Sequence, residues 1–184
     1  MPDRRPVLVI VPGIGDDTPI YKKFARRWQR LGFECHIVAF GWANTHAPLP
    51  STLDTFLQRL DQLQADELYI IGISAGGTAA VNALVARPYV KKIITVCSPL
   101  AAMPGLRNPL LGASINRLSS GLPQLSAEQK RRILSVYGGY DQVVDIRLSQ
   151  PSGIQTRKLQ TMLHAPTIYI AMQWYARSLS RFFR

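Results

Sequence analysis

A serine with glycine two places to either side, in Gly72-Ile73-Ser74-Ala75-Gly76, is the stretch of this sequence best suited to chemistry. It follows the apolar run 68–71 and leads into a segment dominated by Ala and Gly. A strand turning sharply into a helix would hold Ser74 in a strained backbone conformation, at about 1–3 kcal/mol. Side chains two positions either side would strike each other or the strand, so Gly72 and Gly76 are the residues that fit. In return the Ser74 hydroxyl stands clear of the sheet. The amide of Ala75, opening a helix, points where charge on an attacked carbonyl oxygen would develop. Such a serine is a candidate nucleophile.

The surrounding chain supplies elements able to position it. Val7–Val11 reads as a strand closed by Pro12-Gly13-Ile14-Gly15-Asp16-Asp17. A helix is predicted over about 20–31, with Ile20, Phe24, Trp28 and Leu31 on one face and Lys22, Lys23, Arg26, Arg27 and Arg30 largely on the other. Gly32 stops it. A strand over 34–40 and a Gly/Asn/Pro loop over 41–50 follow. Ser51 and Asp54 then suggest a capping box that opens a helix buried through Leu53, Phe56, Leu57, Leu60 and Leu63. The strand 68–72 leads through Ser74 into a helix over 75–86, ended by Pro88. Further strands are predicted at 93–96, 133–137 and near 156–160. A closing helix from about Pro166 carries Ile168, Met172, Tyr175, Leu179 and Phe182 as its apolar stripe. Strands alternating with helices predict an α/β fold, a three-layer sandwich with a mostly parallel sheet of about six strands and helices on both faces, in one domain over 1–184. Segment 98–131 interrupts the alternation. It is either a small lid over the site or an ordinary crossover.

The Gly-x-Ser-x-Gly turn in its strand–helix setting resembles the nucleophile elbow of the α/β-hydrolase superfamily. The resemblance runs over nearly the whole chain from Val7 and is closest to the compact single-domain bacterial lipases and esterases. It implies an acid and then a histidine after the serine, in that order. After Ser74 the chain offers three carboxylates, Glu128, Asp141 and Asp145, and one histidine, His164. The resemblance implies Asp141 as the acid, since Gly138-Gly139-Tyr140-Asp141-Gln142-Val143-Val144 follows a strand as the family's acid loop does. Asp145 is the alternative, and Glu128 belongs to a solvated helix start. His164, in Met162-Leu163-His164-Ala165-Pro166, is the implied base, with Leu163 where relatives usually carry Gly. The implied oxyanion hole pairs the amide of Ala75 with that of Ile14, in a loop where many relatives have His-Gly and this chain has Pro12-Gly13. Asp16 and Asp17 are expected to cap the next helix. His36 reads as a structural strand residue, and His46, ahead of the elbow, could line only the pocket mouth.

The function so implied is a serine esterase or lipase-like hydrolase acting on a small-molecule or lipid acyl ester. A thioesterase or acyltransferase with the same three residues, and a silent fold kept as a binding or scaffold protein, are the alternatives. No ligand spacing or phosphate loop calls for a metal or cofactor. The apolar region 98–125, with Trp42, is expected to form the acyl pocket. The charge is unusual: 22 Lys+Arg against 11 Asp+Glu, and no acid from Ile146 to Arg184. A basic surface attracts anionic partners, yet no nucleic-acid-binding pattern accompanies it. The closing helix, with Trp174, Tyr175, Phe182 and Phe183 beside Arg177, Arg181 and Arg184, suits either weak association with an anionic membrane surface or packing on the sheet. No apolar run nears the roughly 20 residues of a membrane span, and Val7–Val11 is too short for a signal segment. A cytoplasmic protein is expected, with Cys35 and Cys97 as reduced thiols.

Overall fold

The computed structural model describes residues 5–15 and 19–184. Six strands form one parallel sheet: β1 (Val7–Val11), β2 (Glu34–Ile37), β3 (Leu68–Ile73), β4 (Val90–Val96), β5 (Ile133–Tyr137) and β6 (Gln155–Lys158), in the order β2-β1-β3-β4-β5-β6. The helices are α1 (Pro19–Gln29), α2 (Leu49–Asp61), α3 (Ala75–Ala86), α4 (Pro109–Gly121), α5 (Ala127–Arg131), α6 (His164–Gln173) and α7 (Ala176–Ser180). The strand order reverses between β1 and β3, which is where open α/β sheets leave a crevice at the carboxyl ends of their strands.

Strand residues alternate between two buried layers. Val9, Val11, Leu68, Ile70 and Ile93 pack with Leu53, Phe56 and Leu57 of α2, Ala79, Ala80 and Ala83 of α3, and Leu110 and Ile115 of α4. Leu8, Ile10, Ile71, Ile94 and Val96 pack with Phe24 and Trp28 of α1, Ala171 and Met172 of α6, and Leu179 of α7. Both faces of the sheet are covered, so the central strands are mostly apolar and all six residues of β3 are buried.

Several expectations shift. The helix α2 begins at Leu49 with Pro48 before it, and Pro50 sits in its first turn, a place proline's fixed φ suits. Ser51 therefore lies inside the helix, where its hydroxyl donates to Pro48 O (3.0 Å) instead of capping. Strand β2 stops at Ile37, short of residue 40. Asp16 and Asp17, expected to cap α1, lie outside the described residues. Segment 98–131 holds α4, which is a crossover helix of the core. Leu110, Leu111, Ile115 and Leu118 are buried, and the Ser114 hydroxyl sits 3.0 Å from Thr78 Oγ1 and 3.2 Å from Asn82 Nδ2 of α3. Leaving those buried groups unpaired would cost about 1–3 kcal/mol each, so α4 is anchored to α3. The leucines of 98–125 pack toward the core, with Leu106 partly buried, and Trp42 is fully buried, its indole donating to Pro12 O (3.2 Å). Among the described residues no helix is long and apolar enough to cross a membrane.

Candidate active site

Ser74 sits at the carboxyl end of β3, with φ 52° and ψ −123°, and serves as the residue before α3. Its neighbours leave no alternative. A Cβ on Gly72 would lie 2.5 Å from Gly76 O and Gly77 Cα, and one on Gly76 would fall on the carbonyl oxygens of Val11 and Pro12. The turn is pinned by Ser74 N–H donating to Val96 O (2.8 Å) and Gly77 N–H donating to Ser74 O (3.0 Å). Gly13, in the loop after β1, packs on the serine, since its own Cβ would lie 3.6 Å from Ser74 Oγ. Ile14, the residue beyond it, is 51% exposed. Ala75 begins α3, so its N–H is among the four at a helix start without an intrahelical partner.

Asp141 follows β5, and His164 begins α6. The structure brings both to Ser74. His164 Nε2 lies 3.0 Å from Ser74 Oγ, and His164 Nδ1 lies 2.7 Å from Asp141 Oδ2. The other carboxylate oxygen of Asp141 accepts N–H from Val143 (2.8 Å) and Val144 (2.9 Å). Burial alone would raise the Asp141 pKa. The His164 hydrogen bond and those two amides outweigh it and hold the carboxyl below its ordinary value. An ionised carboxylate only accepts, so Nδ1 carries the proton, and in the neutral ring Nε2 is left to accept from the serine hydroxyl.

The acid loop and the histidine loop are fastened to each other. Gly139 N–H donates to Thr161 O (2.7 Å) and Leu163 N–H to Tyr140 O (2.8 Å). His164 N–H donates to the Gln142 side chain (3.0 Å), and Thr161 and Thr167 share a hydroxyl hydrogen bond (2.9 Å). Leu163 lies at φ 71°, ψ 147°, backbone that ordinarily requires glycine. This gives the unusual Leu163 its meaning: the backbone takes glycine's shape although the residue is not glycine.

The remaining candidates lie elsewhere. Asp145 caps the turn at Ile146–Ser149 and pairs with Arg147 (2.7 Å). Glu128 sits in the first turn of α5, where Ser126 and Gln129 form the capping box. His36 pairs with Glu34 on the edge strand, and His46 is exposed in the loop before α2. Three residues at the site carried no signal in the sequence. Gln142 holds the His164 backbone. Tyr21 of α1 accepts N–H from Gly13 (3.1 Å). The third, Cys97, ends β4 at φ 51°, and its ligand atom groups with those of Asp141 and His164 within 4.8 Å. Burial, and then the charge of Asp141, push the Cys97 thiol far above its usual range. The Cys97 thiol is therefore protonated.

No family model matches the chain, and no curated protein matches it. Solved structures do. AbyA5 wild type is 17% identical with a TM-score of 0.65 over 99% of this chain, which spans 61% of that protein's length. Est1E from Butyrivibrio proteoclasticus is 13% identical, with a TM-score of 0.66 over 100% of this chain and 90% of its own. A monoacylglycerol lipase from Paleococcus ferrophilus is 12% identical, with a TM-score of 0.64 over 96% of this chain and 91% of its own. At such identities the likeness is one of fold. With its six parallel strands, its serine at the β3–α3 turn and these structural relatives, the chain has the α/β-hydrolase fold.

Proposed function

We propose that the protein is a serine hydrolase of carboxylic esters, with Ser74 as nucleophile, His164 as base and Asp141 as the acid that orients it. The observation that carries this reading is the continuous hydrogen-bonded line from Ser74 Oγ through the His164 ring to Asp141. As Ser74 attacks an acyl carbonyl, His164 Nε2 takes its proton. Asp141 stabilises the imidazolium so formed, and the same proton then passes to the leaving alkoxide. The amides of Ile14 and Ala75 receive the tetrahedral oxyanion, each worth about 2.7–4 kcal/mol of barrier. Water, deprotonated by His164, releases the acid and restores the serine.

Labelling with a fluorophosphonate tests the reading. Wild type should react and Ser74→Ala should not. A folded wild type that stays unlabelled and cleaves no short ester would leave the fold as a binding scaffold. Parallel oxygen and thiol esters of one acyl group then decide which leaving group the site prefers.

A further inference from the structure

On the face of the sheet opposite α4, helices α1 and α6 expose an apolar surface. A groove of about 630 Å³ runs between α1 and α6, walled by Ile20, Phe24, Pro166, Ile168, Tyr169 and Trp174. It begins at Ala165, next to His164, and its floor includes Tyr21, whose hydroxyl holds Gly13 against Ser74. We infer that this groove binds a linear alkyl chain, the acyl part of the ester whose carbonyl meets Ser74.

The lining has the chemistry for that ligand and for little else. No charged side chain lines it, and both of its hydroxyls are engaged within the protein: Tyr21 accepts from Gly13, and Tyr169 accepts from Lys23 Nζ (2.7 Å). The one other polar side-chain group is the indole N–H of Trp174, in a ring 74% exposed. Methylenes gain from leaving water against such a lining, which offers a polar substrate few partners. Near the loops that carry Ser74's neighbour Gly13 and His164, Ile14, Met162 and Leu163 are also exposed large apolar residues. Shape argues likewise: a furrow between two helices admits an unbranched chain, and Ala165 beside His164 puts one part of it next to the base.

This inference rests on the serine hydrolase reading, and the test separates the two. With p-nitrophenyl esters from acetyl to octanoyl, all kept below their aggregation concentration, kcat/KM should rise roughly twofold per methylene, half the ratio of full burial because the groove is open on one side. Trp174→Ala and Ile168→Ser should flatten that slope. Val85→Ser, an exposed apolar site near the far end of α3, should not. A slope unchanged in both groove variants would overturn the inference. So would a slope seen only above the aggregation concentration, which would instead indicate adsorption to a lipid surface. As a readout free of turnover, decanoate added to Ser74→Ala protein should shift Trp174 fluorescence to the blue, an effect missing in the double variant with Trp174→Ala. If decanoate shifts Trp174 while acetyl ester and phosphonate both fail, the hydrolase reading falls and the groove stands.

Discussion

Ser74 and Leu163 occupy the same kind of backbone for opposite reasons. Each is a non-glycine residue with positive φ, one at the β3–α3 turn and the other just before His164. Among the described residues four non-glycines have positive φ, and three of them, with Cys97 beside Asp141, cluster at this site. At Ser74 the shape is imposed by packing. Gly72, Gly76 and Gly77 let α3 press on β1, β3 and Ser98 at distances no side chain permits. At Leu163 it is imposed by hydrogen bonds between two surface loops, and the side chain itself is 45% exposed. The difference teaches that Ser74 is held by steric exclusion, which has no give, and His164 by a fastening that single substitutions can loosen. Backbone of this sort persists only where its surroundings over-determine it.

Substitutions can break or sharpen that contrast. The largest effect is expected at the junction of the two parts. Asp141→Asn keeps the shape but presents the wrong hydrogen to Nδ1, and kcat for a short ester should fall on the order of 10⁴-fold with the circular-dichroism spectrum unchanged. On the packed side, Gly76→Ala should cost more than about 4 kcal/mol in urea denaturation, since its methyl meets backbone that cannot retreat. A mild loss there would show that the elbow has slack after all. On the fastened side, Gln142→Ala removes the acceptor of His164 N–H, and kcat should drop about fivefold with KM nearly unmoved. Leu163→Gly should raise stability by about 1 kcal/mol, strain relief exceeding the entropy glycine loses on folding. Destabilisation instead would mean that Leu163 contributes contacts worth more than its strain.

The smallest effect appears only in acid. Because the Asp141 pKa is lowered by folding, its contribution to stability is complete above the unfolded value of about 3.9 and is lost as pH falls through the lower folded value. Stability of wild type should therefore drop more steeply below about pH 4 than that of Asp141→Asn, as denaturation at stepped pH will show.

Ser74, Asp141 and His164 could be singled out because each lies in a turn-like stretch between a strand and the next helix or loop, and because the chain holds so few acids and histidines after Ser74. Strands β1, β3 and β5 were legible for a related reason: buried on both faces, they read as short, mostly apolar runs. Tyr21 and Gln142 were not legible. Their partners are 8 and 22 residues away in the chain, and nothing local distinguishes Tyr21 from the rest of an apolar helix face. The closing helix reads ambiguously for the same reason. Its aromatic and basic residues fit a membrane surface or a core, and in the folded chain Phe183 is buried against Trp28, Phe33 and Tyr69 while Trp174 faces solvent.

Sequence alone indicated the alternation of strands and helices and singled out Ser74, Asp141 and His164 as candidates, because periodicity and turn chemistry are local properties. The placement of α4 in the core, the fastening of the histidine loop and the position of the apolar groove were decided by tertiary structure. Each depends on which apolar face meets which, and a leucine beneath a helix and a leucine lining a groove are the same residue until the chain has folded.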